Sequence, residues 1–280
     1  MKGDADLLLP VHRHYLAYQY SSFCEDTLFY REAISQAQGH TPRPSSAFRS
    51  PVRIGIVSHH LLIRELIAEY FSLLADESDP GTIVIIGPNH RSRGKDEIAA
   101  SRLTWVTPFG PVLADRSRLA GLLSAEIVRW NEDAFYDEHS IGSLVPFVRA
   151  YFPKARIIPL IVRADADSAL MIRLAEWLEE HLDATDLVIG SIDFSHGMPS
   201  RQASLEDVQS LKILKSVDEA RWRKVHADSR KTILLLLHLA QVLGARDFEV
   251  VHHTNSGILL GAPRDPCTSY INAIFRTSGD

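Results

Sequence analysis

The chain has 280 residues, 45% of them apolar and 23% charged, with a formal net charge of -5 and a pI near 6.2. Those values exclude a disordered or fibrous chain, and the mild acidity argues against a nucleic-acid binder or a partner for anionic membranes. The only two cysteines, Cys24 and Cys267, lie outside any C-x-x-C pattern, so no disulfide framework or cysteine zinc site is expected and a reducing, cytoplasmic setting is.

Met1 to Asp6 lacks the basic start and long apolar run of a signal peptide, and Leu7-Leu8-Leu9 is stopped by Pro10. Residues 1–50 read as an N-terminal arm and linker. Tyr15, Tyr18, Tyr20, Phe23, Phe29 and Tyr30 supply groups that pack the arm on the main body, and Gln36 to Pro51, with three prolines, reads as a connecting loop. Residues 51–280 read as one α/β domain.

From Val52 the pattern is regular. Val52 to Val57 is a strand that runs into Ser58-His59-His60, and Leu62, Leu66, Ile67, Tyr70 and Leu74 recur at helical spacing. Thr82 to Ile86 is nearly all β-branched and closed by Gly87-Pro88, the mark of a strand buried on both faces, which delivers Asn89 and His90 into a loop. Thr107 to Pro111 is a turn between short strands, and Asp115 can cap a helix through Leu123. Asp137-Glu138-His139-Ser140 opens the apolar-periodic run from Ile141 to Val148.

Arg156 to Val162 is another buried strand, Ser168 to His181 a helix, and Asp186 to Ile192 a strand ending in Asp193-Phe194-Ser195-His196. Leu205 to Val217 and Lys231 to Val242 are helices; Phe248 to Val251 and Tyr270 to Phe275 close as strands. The apolar run Ile233 to Ala240 is far shorter than the roughly 20 residues that span a bilayer. Alternating strands and helices predict a single-domain α/β fold, a mostly parallel sheet flanked by helices.

Thirteen histidines are the compositional oddity. Three strands end in one: His59, His90 and His196. If those strands are parallel their ends share one edge, where open α/β sheets bind ligands, and His139 opens a helix that can face the same cleft. Imidazoles gathered in a cleft ligate zinc, iron or copper, or move protons near neutral pH. By contrast, His252 and His253 lie within a predicted strand and read as structural, His12, His14 and His40 as surface groups of the arm. Asn89 reads as a loop-holding residue, and Arg91, Arg93 and Lys95 as a solvated basic loop.

From about Val52 onwards the chain resembles the Memo-like family, also called AmmeMemoRadiSam system protein B, whose fold is similar to that of class III extradiol dioxygenases. The marks are Gly87-Pro88-Asn89-His90 with Arg93-Gly94, Thr107-Pro108-Phe109-Gly110 with Asp115, Glu138-His139-Ser140-Ile141 with Pro146-Phe147, Ile158-Pro159, Ser191-Ile192-Asp193-Phe194-Ser195-His196, and Asn255-Ser256-Gly257. The resemblance implies His59 and His90 as metal ligands, although the family's Pro-His-Ala-Gly-Tyr motif around the first reads Ser58-His59-His60-Leu61-Leu62 here, and Gly142 stands where its His-Ser-x-Glu motif has glutamate.

Many members supply a cysteine as third ligand; aligning the long apolar helix puts Asp228 there, with His226 as a competitor. Asp228 also reads as a helix N-cap, and the two roles are not exclusive. Two imidazoles and a carboxylate suit non-haem Fe(II), whereas a thiolate would favour copper or zinc. On this analogy His196 is the acid-base residue, Asp193 orients a neighbour, and His139 meets substrate. The implied function is a dioxygenase-like, Fe(II)-dependent oxidoreductase of a small-molecule substrate, copper or zinc being the other metals. A non-enzymatic binding or scaffold protein with a protein partner, and more distantly a metal-assisted hydrolase, are the competing readings.

Overall fold

The computed structural model describes residues 11–13 (backbone only), 27–38, 50–136 and 138–277. In chain order the strands are β1 (Val11–Arg13), β2 (Val52–Val57), β3 (Thr82–Pro88), β4 (Ile98–Ala100), β5 (Thr104–Thr107), β6 (Gly110–Val112), β7 (Arg129–Trp130), β8 (Arg156–Val162), β9 (Leu187–Ser191), β10 (Phe194–Met198), β11 (Asp247–Asn255) and β12 (Cys267–Arg276). The α-helices are α1 (Thr27–Gln38), α2 (Arg64–Glu77), α3 (Arg116–Ser124), α4 (His139–Gly142), α5 (Val145–Tyr151), α6 (Ser168–His181), α7 (Ser200–Lys215), α8 (Arg230–Val242) and α9 (Ser256–Leu259). None is long and apolar enough to cross a membrane.

Nine of the strands form the main sheet, in the order β10-β12-β2-β9-β3-β8-β4-β7 with β11 pairing β12. The central four, β2, β9, β3 and β8, are parallel. Antiparallel pairing flanks them, β12 on β2 and β4 on β8. A small sheet of β1, β5 and β6 stands apart. The fold is therefore α/β with a parallel centre, as the alternation of elements predicts, and antiparallel additions on both sides.

Strand alternation explains why the centre reads as an unbroken apolar run. Val84 and Ile86 of β3 join one core with residues of α3, α6 and α8, while Ile83 and Ile85 join the other with residues of α1, α2 and α5. Every residue of β3 is buried. Tyr30 of α1 meets Phe147 of α5 edge-on, 5.2 Å between ring centroids, so this part of the arm packs on the body. The helix runs on through Gln38, where the sequence reads as loop; Tyr15, Tyr18, Tyr20, Phe23, Cys24, His14, His40 and residues 39–49 lie outside the described residues.

The connection after β9 departs most from expectation. The parallel strand stops at Ser191, and after Ile192 and Asp193 the chain starts a new strand, β10, antiparallel to β12 with irregular register. That reversal governs where His196 ends up. Helix α7 begins five residues earlier than its apolar periodicity indicates, at Ser200, and β11 extends to Asn255.

Two residues at the ends of β3 fix its surroundings. Asp115 caps α3 by accepting from Arg118 N at 3.1 Å, and its other oxygen accepts from Thr82 Oγ1 at 2.9 Å and from Arg118 Nη1 at 2.9 Å. Burial opposes its charge, yet these donors and the Arg118 cation hold the carboxyl below its ordinary pKa. At the other end, Gly87 lets α4 lie against β3: a Cβ there would meet Ser140 Cβ at 2.6 Å and collide with Ser140 Oγ.

Gly87→Ala should therefore cost about 1–3 kcal/mol through overpacking, read as a lower urea midpoint. Gly81→Ala, whose Cβ would meet nothing closer than Asp186 Oδ1 at 3.7 Å, should leave the midpoint nearly unchanged. Asp115→Ala should lose about 1 kcal/mol at neutral pH. Because the folded-state pKa is depressed, that contribution is present above the unfolded carboxyl pKa and is lost as pH falls through the folded value. Melting curves of wild type and variant should accordingly converge on acidification.

Candidate metal centre

The C-terminal ends of β2, β3 and β9 open on one edge of the sheet, and three imidazoles meet there. The His59 and His90 ring centroids are 5.2 Å apart, His59 and His139 5.0 Å, and His139 stacks on His90 at 4.3 Å with the planes 14° from parallel. Asp193, just beyond β9, and Asp228, before α8, join them. Two overlapping donor sets result: His59, His90 and His139; and His59, Asp193 and Asp228, each with its donor atoms within 4.8 Å of one another.

Hydrogen bonding settles which nitrogens face the centre. Ser191 Oγ donates its one proton to Ser140 O at 2.6 Å, so at 3.0 Å it accepts from His59 Nδ1. That fixes the His59 tautomer and leaves Nε2 as the lone-pair donor. Glu138 does the same for His90, its Oε1 2.8 Å from Nδ1 while Oε2 accepts from the His90 backbone N–H at 2.9 Å. A carboxylate behind a histidine, with the far nitrogen free, is the standard support of a metal ligand.

The two Nε2 atoms converge on Asp228 Oδ2, at 3.5 Å from His59 and 3.6 Å from His90. Two donors that share an ion at about 2.1 Å in near-tetrahedral array lie about 3.4 Å apart, so each imidazole is spaced to share an ion with Asp228 Oδ2. The second oxygen of Asp228 accepts from the Asp193 backbone N–H at 3.3 Å, and Asp228 N–H donates to Asp193 O at 3.0 Å. Among the described residues, Oδ2 itself is buried without a hydrogen-bond partner. A buried carboxylate oxygen left without a donor is costly unless a cation meets it, so the residues present fit a metal.

Asp193 is almost fully buried and held through Oδ1 by Ser58 Oγ and by the His59 backbone N–H at 3.3 Å; its Oδ2 lies 3.7 Å from His59 Nε2. Burial opposes its charge, but His59, His60 and Ser58 keep its carboxyl below the ordinary range. For His90, burial works against the cation, and Asp228 and Glu138 outweigh it, raising the ring to about 10. Glu138, desolvated but paired with His90, falls to about 2. His139 goes the other way, to about 3, through desolvation and the neighbouring His59 and His90 rings. The site thus calls for positive charge at the His90–Asp228 position and holds His139 neutral.

Three expectations change. The N-cap of α8 is Ser229, and the Asp228 side chain bonds Asp193 rather than the first turn, so Asp228 is not a helix cap. His226, the competing ligand, points away to Glu206, with Nε2 3.1 Å from its carboxylate. His196 is exposed and lines a neighbouring depression with His226, Arg223 and Arg230, outside both donor sets, because the chain reverses at Ile192 and Asp193 and places His196 within β10. Elsewhere Asn89 holds its loop through reciprocal bonds with the Arg93 backbone, 2.9 and 3.0 Å. His252 pairs with Glu69 and His253 with Asp207, at 3.0 and 2.9 Å. Glu138 and Ser191 support the two histidines without any local pattern that singles them out, and their place in matched motifs is the one signal the sequence carries.

Comparison with known proteins agrees with this architecture. A family model described as Memo-like protein matches residues 33–274. A MEMO1 family protein of Pyrobaculum arsenaticum is 29% identical over 234 residues, covering 79% of this chain and 82% of the relative. One from Saccharolobus solfataricus is 26% identical over 219 residues, covering 74% and 76%. Among solved structures, an uncharacterized protein of Escherichia coli K12 has a similar fold, with a TM-score of 0.53 and 13% identity over 78% of this chain and 99% of that one. With a family model matched over most of its length, the protein belongs to the Memo-like family.

Proposed function

We propose that this chain is a metal-binding protein in which His59, His90 and Asp228 hold the ion, and that it works as a non-haem Fe(II)-dependent oxidoreductase on a small molecule. The observation that carries the reading is Asp228 Oδ2, buried, without a donor, and within 3.6 Å of both Nε2 atoms. Fe(II) held by His59, His90 and Asp228, two imidazoles and one carboxylate, would supply electrons for dioxygen chemistry.

The chain's own residues divide the remaining work. Ser191 and Glu138 hold the His59 and His90 rings by Nδ1, and Asp193 sets the Ser58–His59 backbone. His139, neutral and partly open to solvent against the His90 face, is placed to hydrogen-bond a molecule entering the cleft. His196, exposed in the neighbouring depression, keeps the acid-base part that the resemblance gives it.

Titrating Fe(II) anaerobically into wild type and Asp228→Ala tests the ligand set: affinity should fall at least about tenfold, and equal affinities would leave a non-enzymatic binding protein as the reading. Asp228→Cys should shift preference towards zinc or copper, measured by competition with a chromogenic chelator. Glu138→Gln, which keeps the shape but removes the charge behind His90, should weaken binding about 10–100-fold without unfolding the chain.

A further inference from the structure

Beside the His90–Asp228 edge lies a cavity of about 400 Å³, within the range of about 300–1,000 Å³ usual for small-molecule sites. His90 and Asp228 line it, together with Trp222, Arg223, Arg230 and Lys231. Arg163 also reaches it but is committed, to Asp165 at 2.8 and 2.9 Å and to the carbonyls of Ser92 and Gly94.

The other three cations are not neutralised in that way. Arg223 lies over the Trp222 ring at 4.4 Å, and Lys231 Nζ is 5.1 Å from the same ring and donates to Ser168 Oγ at 3.0 Å. Arg230 Nη1 donates only to the Arg223 carbonyl, at 3.5 Å. Among the described residues none of the three has a carboxylate partner; Asp167, Glu97 and Asp165 act on Lys231 from further off. The first turn of α8, without a side-chain cap, adds its partial positive charge at the same wall. In a chain of net charge -5, such an excess of unpaired cations around a cavity calls for an anion.

We infer that this cavity binds a small organic anion, its carboxylate or phosphate group on Arg223 and Arg230 and the rest of the molecule directed at His90 and Asp228. That it is the substrate rests on the metal-centre reading; the anion site itself does not. Arg223 and Arg230 also line the depression that holds His196, so the two guanidinium groups stand between the cavities and can hold the anion without filling the space beside His90. Guanidinium forks suit planar carboxylate and phosphate oxygens alike.

The test is calorimetry on the metal-free full chain with inorganic phosphate and, separately, benzoate. One or both should bind, and which one does distinguishes phosphate esters from carboxylates as the ligand class. Arg223→Gln with Arg230→Gln should weaken that binding about tenfold or more, the scale of one lost charge-assisted hydrogen bond, while Arg230→Lys keeps part of it. Both arginines are exposed, so the core is untouched, and an unchanged melting temperature verifies it. No heat from either anion, or equal affinity in wild type and the double variant, overturns the inference. Fe(II) titration of the double variant separates the two readings. Wild-type Fe(II) affinity with lost anion binding supports both, whereas anion binding that depends on the arginines in a chain that takes up no Fe(II) upholds the anion site and removes the metal centre.

Discussion

A strand with apolar cores on both faces has one place for a polar side chain, its end. β3 is buried along its whole length between the helices of the two layers, as is β9 beside it, and β2 beyond β9 is nearly so. Polar groups of these strands are therefore displaced to the loops beyond Val57, Pro88 and Ser191, and parallel alignment brings those loops to one edge. The clustering of His59, His90 and Asp193 is thus a consequence of core packing as much as of any attraction among them. Burying both faces stabilises the sheet, by about 25 cal/mol per Å² of apolar surface, and also decides where chemistry can be placed.

At that edge, electrostatics works against packing. Glu138, Asp193 and Asp228 are three carboxylates withdrawn from water around rings that are neutral in their ordinary ligand form. Such a concentration of charge is unfavourable unless each oxygen finds a donor or a cation. Glu138 finds donors for both oxygens and Asp193 for Oδ1; Asp193 Oδ2 and Asp228 Oδ2 instead face the His59 and His90 rings, 3.5 to 3.7 Å from their Nε2 atoms. The deficit is confined to the two oxygens that face the imidazoles.

Much of this was legible in the sequence, because hydrophobic periodicity reports burial and burial fixed the frame. β-branched runs marked β2, β3, β8 and β9, and the residues after them carried His59 and His90. What could not be read was anything that depends on two segments meeting. Glu138 looks like the start of a short helix until α4 settles on β3, which Gly87 allows and no local pattern announces. His196 follows a buried strand in sequence, yet Ile192 and Asp193 break the strand and the chain re-enters the sheet beyond the edge. Asp before an apolar helix suggests a cap; only the bonds to Asp193 show the carboxylate turned the other way.

Those bonds belong to a short antiparallel stitch. Phe194 bridges Ala227, and Ser195 N–H donates to His226 O at 3.0 Å, so the segment carrying Asp228 is fastened to β10 rather than left as a free loop. The conformational entropy of bringing a carboxylate from the far part of the chain to two histidines near its beginning is lost once, when the protein folds. Little remains to be ordered when an ion arrives. Association would then be governed by stripping water from the ion and protons from the imidazoles, and a site so preorganised would discriminate among ions by radius and coordination preference instead of adapting to each.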